Sequence, residues 1–200
     1  MRGEIVEAEQ WDLKAARLGF PGAMQNLGDL YLNQGNLSEA LAWYTRAAER
    51  AHADVMANPR RFHPWPGEGR DDGTSNAMLK LAELLQKTGH GSQADKWYHR
   101  GVALGDARAA GALAAAAEAH GDALAAADWR QRAALLAESN LTRNHSSIRN
   151  AYGEPGLLRN TTILVEYADY LTQQDRAAEA DRWYRLAADF SDPAARAKLP

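Results

Sequence analysis

The sequence predicts an all-α fold built from repeated antiparallel helix pairs, and three observations predict it. Trp11, Trp43, Trp97, Trp129 and Trp183 stand 32, 54, 32 and 54 residues apart. One pattern therefore recurs with a double period of 86 residues, and every second unit carries an insertion of about 22 residues. Inside a unit the apolar residues fall at steps of three and four, as with Met24, Leu27 and Tyr31, then Ala40, Trp43, Tyr44 and Ala47. That is the spacing of one face of a helix. Breaks at Gly35, Gly89, Gly121 and Asp175 then divide each unit into two helices.

The elements follow in chain order. Residues 3–20 read as a single helix of the second type, with no first helix before it, and residues 21–51 as the first complete pair. A loop-rich insert is expected over 52–75, where "HADVMANPRRFHPWPGEGRDDGTS" is dense in Pro, Gly, Asp and Arg. Pairs two and three occupy 76–105 and 106–137. A second insert, "ESNLTRNHSSIRNAYGEPGLLRN", covers 138–160, pair four covers 161–191, and 192–200 opens a further helix that does not complete its pair. These two ends suggest an excerpt of a longer chain. In the breaks, Asn36, Ser92, Asp122 and Asp175 are candidates to cap or turn into the second helix.

Composition narrows the function. The chain has 200 residues, 46% hydrophobic content, 24% charged residues and a net charge of −3, enough to bury one sizeable domain core. No block of five like charges provides a footprint for nucleic acid. No run reaches the roughly 18 apolar residues of a membrane span. With no cysteine, disulfides, thiolate metal sites and cysteine nucleophiles are excluded, and a cytoplasmic setting is expected. His52, His63, His90, His99, His120 and His145 form no metal-ligand spacing, and "PGEGRDDGTSN" lacks both the P-loop lysine and the calcium-loop glutamate. Neither a cofactor nor enzymatic activity is expected.

Leu27, Gly28, Tyr31, Ala40, Tyr44 and Ala47 sit at the spacing of the tetratricopeptide repeat signature, which the chain resembles over nearly all its length outside the inserts. The wording of "WYTRAAERA" and "WYRLAADF" is similar to the related Sel1-like repeats. Two departures stand out: His52 lies near the place of the usual closing proline, and Arg130 replaces the aromatic in the third pair. The resemblance implies a right-handed superhelical solenoid in which stacked pairs share one core. The periodic tryptophans are then expected in that core or between repeats.

The resemblance also implies a function: a protein-interaction module or scaffold holding a peptide or protein segment in a concave groove lined by the first helices. The groove would present Gln25, Asn26, Asp29 and Asn33, then Asn76, Lys80, Glu83 and Lys87, then Arg108, and finally Glu166 and Asp169. Gln25, Asp29 and Ala112 stand where a terminal-carboxylate clamp would place donors, which disfavours chaperone-tail recognition. The inserts add an aromatic and basic edge, of which Arg60, Arg61, Trp65, Arg149 and Tyr152 are the candidate contacts. The partner class is a protein or peptide, the rest of a longer parent chain included. The alternative is a regulatory sensor region of a larger signalling or transcription-control protein, binding a small ligand or an intramolecular partner. A third option is an oligomerisation surface formed by the repeat ends.

Overall fold

The computed structural model describes the backbone of residues 2–57, 74–143 and 153–199, and side chains over 7–57, 75–142 and 159–199. Every regular element among the described residues is a helix. In chain order these are α1 (Arg2–Arg17), α2 (Pro21–Asn33), α3 (Leu37–Ala57), α4 (Thr74–Lys87), α5 (Gly91–Ala103), α6 (Ala107–Ala119), α7 (Ala123–Arg143), α8 (Gly153–Gln173), α9 (Ala177–Asp189) and α10 (Pro193–Lys198). The chain divides into two compact units, α1 to α5 in one and α6 to α10 in the other. The sequence pattern alone suggests one continuous domain.

Tight turns join the two antiparallel helices of each pair, and at Gly19, Gly105 and Ser191 they lead from a second helix into the first helix that follows it. Their left-handed residues recur at the interval that the tryptophans give: Gly19, Gly105 and Ser191 stand 86 residues apart, as do Gly35 and Gly121, and Gly89 and Asp175. Asp175 (φ 58°) and Ser191 (φ 70°) hold this conformation without the freedom of glycine. Asp175 is therefore the turn residue itself and caps nothing. Asn36 accepts from the Glu39 amide at 3.3 Å and Asp122 from the Ala125 amide at 3.0 Å, so both act as N-terminal caps. The α5 start carries no side-chain cap, which leaves Ser92 without that role. Asp106 and Asp192 cap α6 and α10.

In the first unit α3 lies against both α2 and α4, and α4 against α5. Leu27, Tyr44, Met78, Leu81, Ala82 and Tyr98 fill the core between them, with Ala40, Ala47 and Ala94 fully enclosed. In the second unit Leu141, Leu164, Ala168, Leu171, Trp183, Tyr184 and Ala195 form the corresponding cluster. Small alanines let the helices approach while the tyrosines fill the space beside them, so within each unit the pairs cover one another's apolar faces.

Three helices run past the limits that composition suggests, among them α8, which begins at Gly153 inside the second expected insert. α3 continues through His52 to Ala57, because a histidine there keeps the amide that a proline would remove. Ala51 is buried, and the His52 ring meets Trp97 of α5 edge-on at 6.5 Å. α7 likewise continues to Arg143, anchored by Leu141, which is fully buried in the second core, and by Asn140, whose Nδ2 donates to the Gly105 carbonyl at 3.2 Å. Packing overrides the loop-favouring composition of these stretches.

Candidate functional site

In the first unit the two first helices, α2 and α4, carry the predicted groove residues. Asn26, Asp29 and Asn33 step by three and four along α2, as do Lys80, Glu83 and Lys87 along α4, so each trio occupies one helix face. The helices are tied directly. Asn76 Nδ2 donates to Gln25 Oε1 at 2.8 Å, and Lys80 Nζ donates to both carboxylate oxygens of Asp29 at 2.5 Å. The Tyr44 hydroxyl, arriving from α3, donates to the same carboxylate. Burial of Tyr44, followed by its bond to Asp29, pushes that hydroxyl well above the ordinary tyrosine range. It is a neutral donor at physiological pH.

The predicted residues therefore separate into two groups. Asp29 and Lys80 are committed to each other, and Asn26 donates to Asp12 of α1 at 3.1 Å. Asn33, Glu83 and Lys87 are exposed and have no hydrogen bond or ion pair among the described residues. Sequence reasoning missed the Asp29–Lys80 pair, because an intervening insert hides its helical register. Arg60, Arg61, Trp65, Arg149 and Tyr152 lie outside the described residues.

The second unit contains the same clasp. Asp169 of α8 accepts from the Tyr184 hydroxyl of α9 at 2.5 Å and from Lys198 Nζ of α10 at 2.7 Å. Both donors, Lys198 first, hold the Asp169 carboxyl below the usual aspartate range. Each lysine also lies beside its tyrosine ring, Lys80 at 5.9 Å and Lys198 at 5.8 Å from the ring centre. In the third pair, Arg130 stands where the tyrosine would be. It bonds Glu118 of α6 and lies 4.8 Å over the ring of Tyr170 on α8. Of the other groove candidates, Arg108 grips Asp106 in its own turn, and Glu166 is exposed.

The tryptophans correct an expectation. Trp183 is buried, with its ring 5.4 Å from that of Tyr167, but Trp11 is 61% exposed, and Trp43, Trp97 and Trp129 are half-buried. The neighbouring tyrosines take the core positions. Lys14, Arg46 and Arg100, each three residues on, lie over Trp11, Trp43 and Trp97 at 4.4, 4.7 and 4.3 Å. That cation three residues after the indole was the available signal for a surface position.

Residues 21–53, the hairpin of α2 and α3, match the family model for the tetratricopeptide repeat. This segment is a tetratricopeptide repeat. Gly28 shows why the tetratricopeptide signature demands a small residue there, since a β-carbon would lie 2.6 Å from Tyr44 Cε1. The pairs α4–α5, α6–α7 and α8–α9 follow this tetratricopeptide hairpin in the same antiparallel form. Among solved structures, the crystal structure of MamA protein aligns with a TM-score of 0.40 and 16% identity, covering 90% of this chain and 96% of that one. No curated protein matches the chain. Among the described residues no cluster of His, Asp or Glu is arranged to hold a metal, and no helix is long and apolar enough to cross a membrane.

Proposed function

We propose that the chain is a protein-interaction module that holds a peptide or protein segment against the first-helix face of α2 and α4. Tetratricopeptide repeats are protein-interaction units, which supplies the class. The observation that carries the choice of face is the division of labour on it. Asp29, Lys80 and Tyr44 tie α2 to α4 and fix their spacing, while Asn33, Glu83 and Lys87 stand exposed with no hydrogen bond or ion pair among the described residues. A rigid platform with free polar groups loses little ordering entropy on binding. By the sequence argument alone, Arg60, Arg61, Trp65, Arg149 and Tyr152 extend the contact along the insert edge. A cytoplasmic setting belongs to the same proposal and rests on the cysteine-free composition.

The test is affinity capture from lysate of the native host, comparing the wild-type chain with an Asn33→Ala, Lys87→Ala double variant. Both side chains are exposed, so thermal stability should change by no more than about 0.5 kcal/mol for each. A partner lost in the variant supports the proposed face. A partner retained at equal yield contradicts it.

A further inference from the structure

We propose that the face of α1 formed by Ala8, Trp11, Asp12 and Ala15 docks an amphipathic helix of a partner protein, one that carries a lysine or arginine opposite Asp12. This is a second interaction surface, apart from the α2–α4 face. Its positions recur as Ala40, Trp43, Tyr44 and Ala47 on α3, as Ala94, Trp97, Tyr98 and Gly101 on α5, and as Ala180, Trp183, Tyr184 and Ala187 on α9. In those three helices the small residues and the tyrosine are buried, because the first helix of the same pair lies against them. Trp183 is buried as well, with its ring 5.4 Å from that of Tyr167 on α8. On α1 the same positions are open: Ala8 is exposed, Asp12 and Ala15 are half-exposed, and Trp11 is 61% exposed.

The covering helices define the apolar part of the occupant. Met24, Leu27, Gly28 and Tyr31 of α2 recur as Met78, Leu81, Ala82 and Leu85 of α4, and as Leu164, Tyr167, Ala168 and Leu171 of α8. Each set is one stripe of a helix, apolar except for a small residue at its third place. The small residue lies against the tyrosine of the second helix, as Gly28 does against the Tyr44 ring. A helix with this stripe covers Ala8, Trp11 and Ala15 as α8 covers Ala180, Trp183 and Ala187.

Asp12 sets the charge that the occupant brings, because it stands where the other second helices have tyrosine. In the built clasps the residue after the small one, Asp29 or Asp169, accepts from Tyr44 or Tyr184, and Lys80 or Lys198 of the following first helix binds the same carboxylate. At α1 the place of that lysine is taken by Asn26, which donates to Asp12 at 3.1 Å. The acceptor has thus moved from the first helix to α1, and the occupant's residue after its small one has to donate. Lysine or arginine does so with a charge-assisted bond and with the length that the short Asp12 side chain lacks. An aspartate or glutamate there meets Asp12 as a like charge.

The test uses the full 200-residue chain, labelled with nitrogen-15, and two blocked synthetic peptides at matched ionic strength. One has the sequence of Thr74–Lys87 with Glu83→Lys, which sets a lysine opposite Asp12, and the other keeps the glutamate. The lysine peptide should give saturable amide shifts on α1, centred on Ala8, Trp11 and Ala15. The glutamate peptide should bind roughly tenfold more weakly, the difference that one charge-assisted hydrogen bond makes. Trp11→Ala should remove the response with circular dichroism unchanged, and Asp12→Lys should reverse the preference between the two peptides. Equal binding of both peptides, shifts confined to other helices, or no shift at all would each overturn the proposal. Self-association of the chain alone, abolished by Trp11→Ala, would give the face to a second copy and overturn the partner helix.

Discussion

Asp29 and Lys80 are 51 residues apart in the chain and 2.5 Å apart at their charged atoms. The pair crosses an insert to tie consecutive first helices, but both side chains are partly solvated, at 42% and 31% exposure. Such pairs contribute about 1 kcal/mol or less. The Tyr44 hydroxyl is different, because its ring is buried and its bond goes to a charged acceptor. Tyr44→Phe should therefore cost roughly 1.5 kcal/mol and Lys80→Met less than that. Chemical denaturation of the two variants checks the order, and a larger loss for Lys80→Met would show that the ion pair dominates the clasp.

Gly28 leaves no room for a methyl group, since Tyr44 Cε1 and Cδ1 would lie 2.6 and 2.7 Å from an added β-carbon. The tyrosine cannot swing aside without breaking its bond to Asp29. Gly28→Ala should destabilise the first unit by about 1–3 kcal/mol, although alanine is the better helix former. Unchanged or improved thermal stability would mean that the ring gives way freely.

Trp11 and Trp183 occupy the same place in the 86-residue pattern but differ in burial, 61% exposed against 5%. Trp183→Ala should cost about 3–5 kcal/mol, whereas Trp11→Ala should stay near 0.5 kcal/mol. Thermal melts of the two variants make the comparison, and equal losses would contradict the assigned packing.

Tyr98 is buried, and burial followed by the charges of Glu83 and Asp95 pushes its hydroxyl up to about 12. A raised value means that the folded chain holds this proton longer than the unfolded chain, where tyrosine titrates near about 10. The resulting stabilisation is complete below about pH 10 and is lost as pH rises towards 12. On the acid side the sign reverses. Asp169 is held below its ordinary value by Lys198 and Tyr184, so its contribution is present above about pH 3.9 and is lost as pH falls through the lower folded value. Asp169→Asn should remove that acid dependence. Tyrosinate absorbance and acid unfolding curves measure the two effects.

Much of the fold was legible because packing repeats. Tyr44, Tyr98 and Tyr184 and the alanines around them recur with the helical pattern that buries them. Trp43 and Tyr44 show the limit of periodicity: both recur and point about 100° apart on a helix, and here Tyr44 alone is buried, whereas Trp183 and Tyr184 both enter the second core. The ends of α3 and α7 were hidden for another reason. Ala51 and Leu141 hold them helical through contacts with residues distant in the chain, which local composition does not record. The exposure of Asn33, Glu83 and Lys87 was legible from helical register. The commitment of Asp29 to Lys80 was not, because it depends on how two first helices meet across the insert.

The most direct test of the proposed function is hydrogen exchange of the chain with and without a captured partner. Protection should appear on α2 and α4, centred on Asn33, Glu83 and Lys87, and should vanish for the Asn33→Ala, Lys87→Ala variant. Protection confined to other helices, with exchange on α2 and α4 unchanged by the partner, would contradict the assignment of this face.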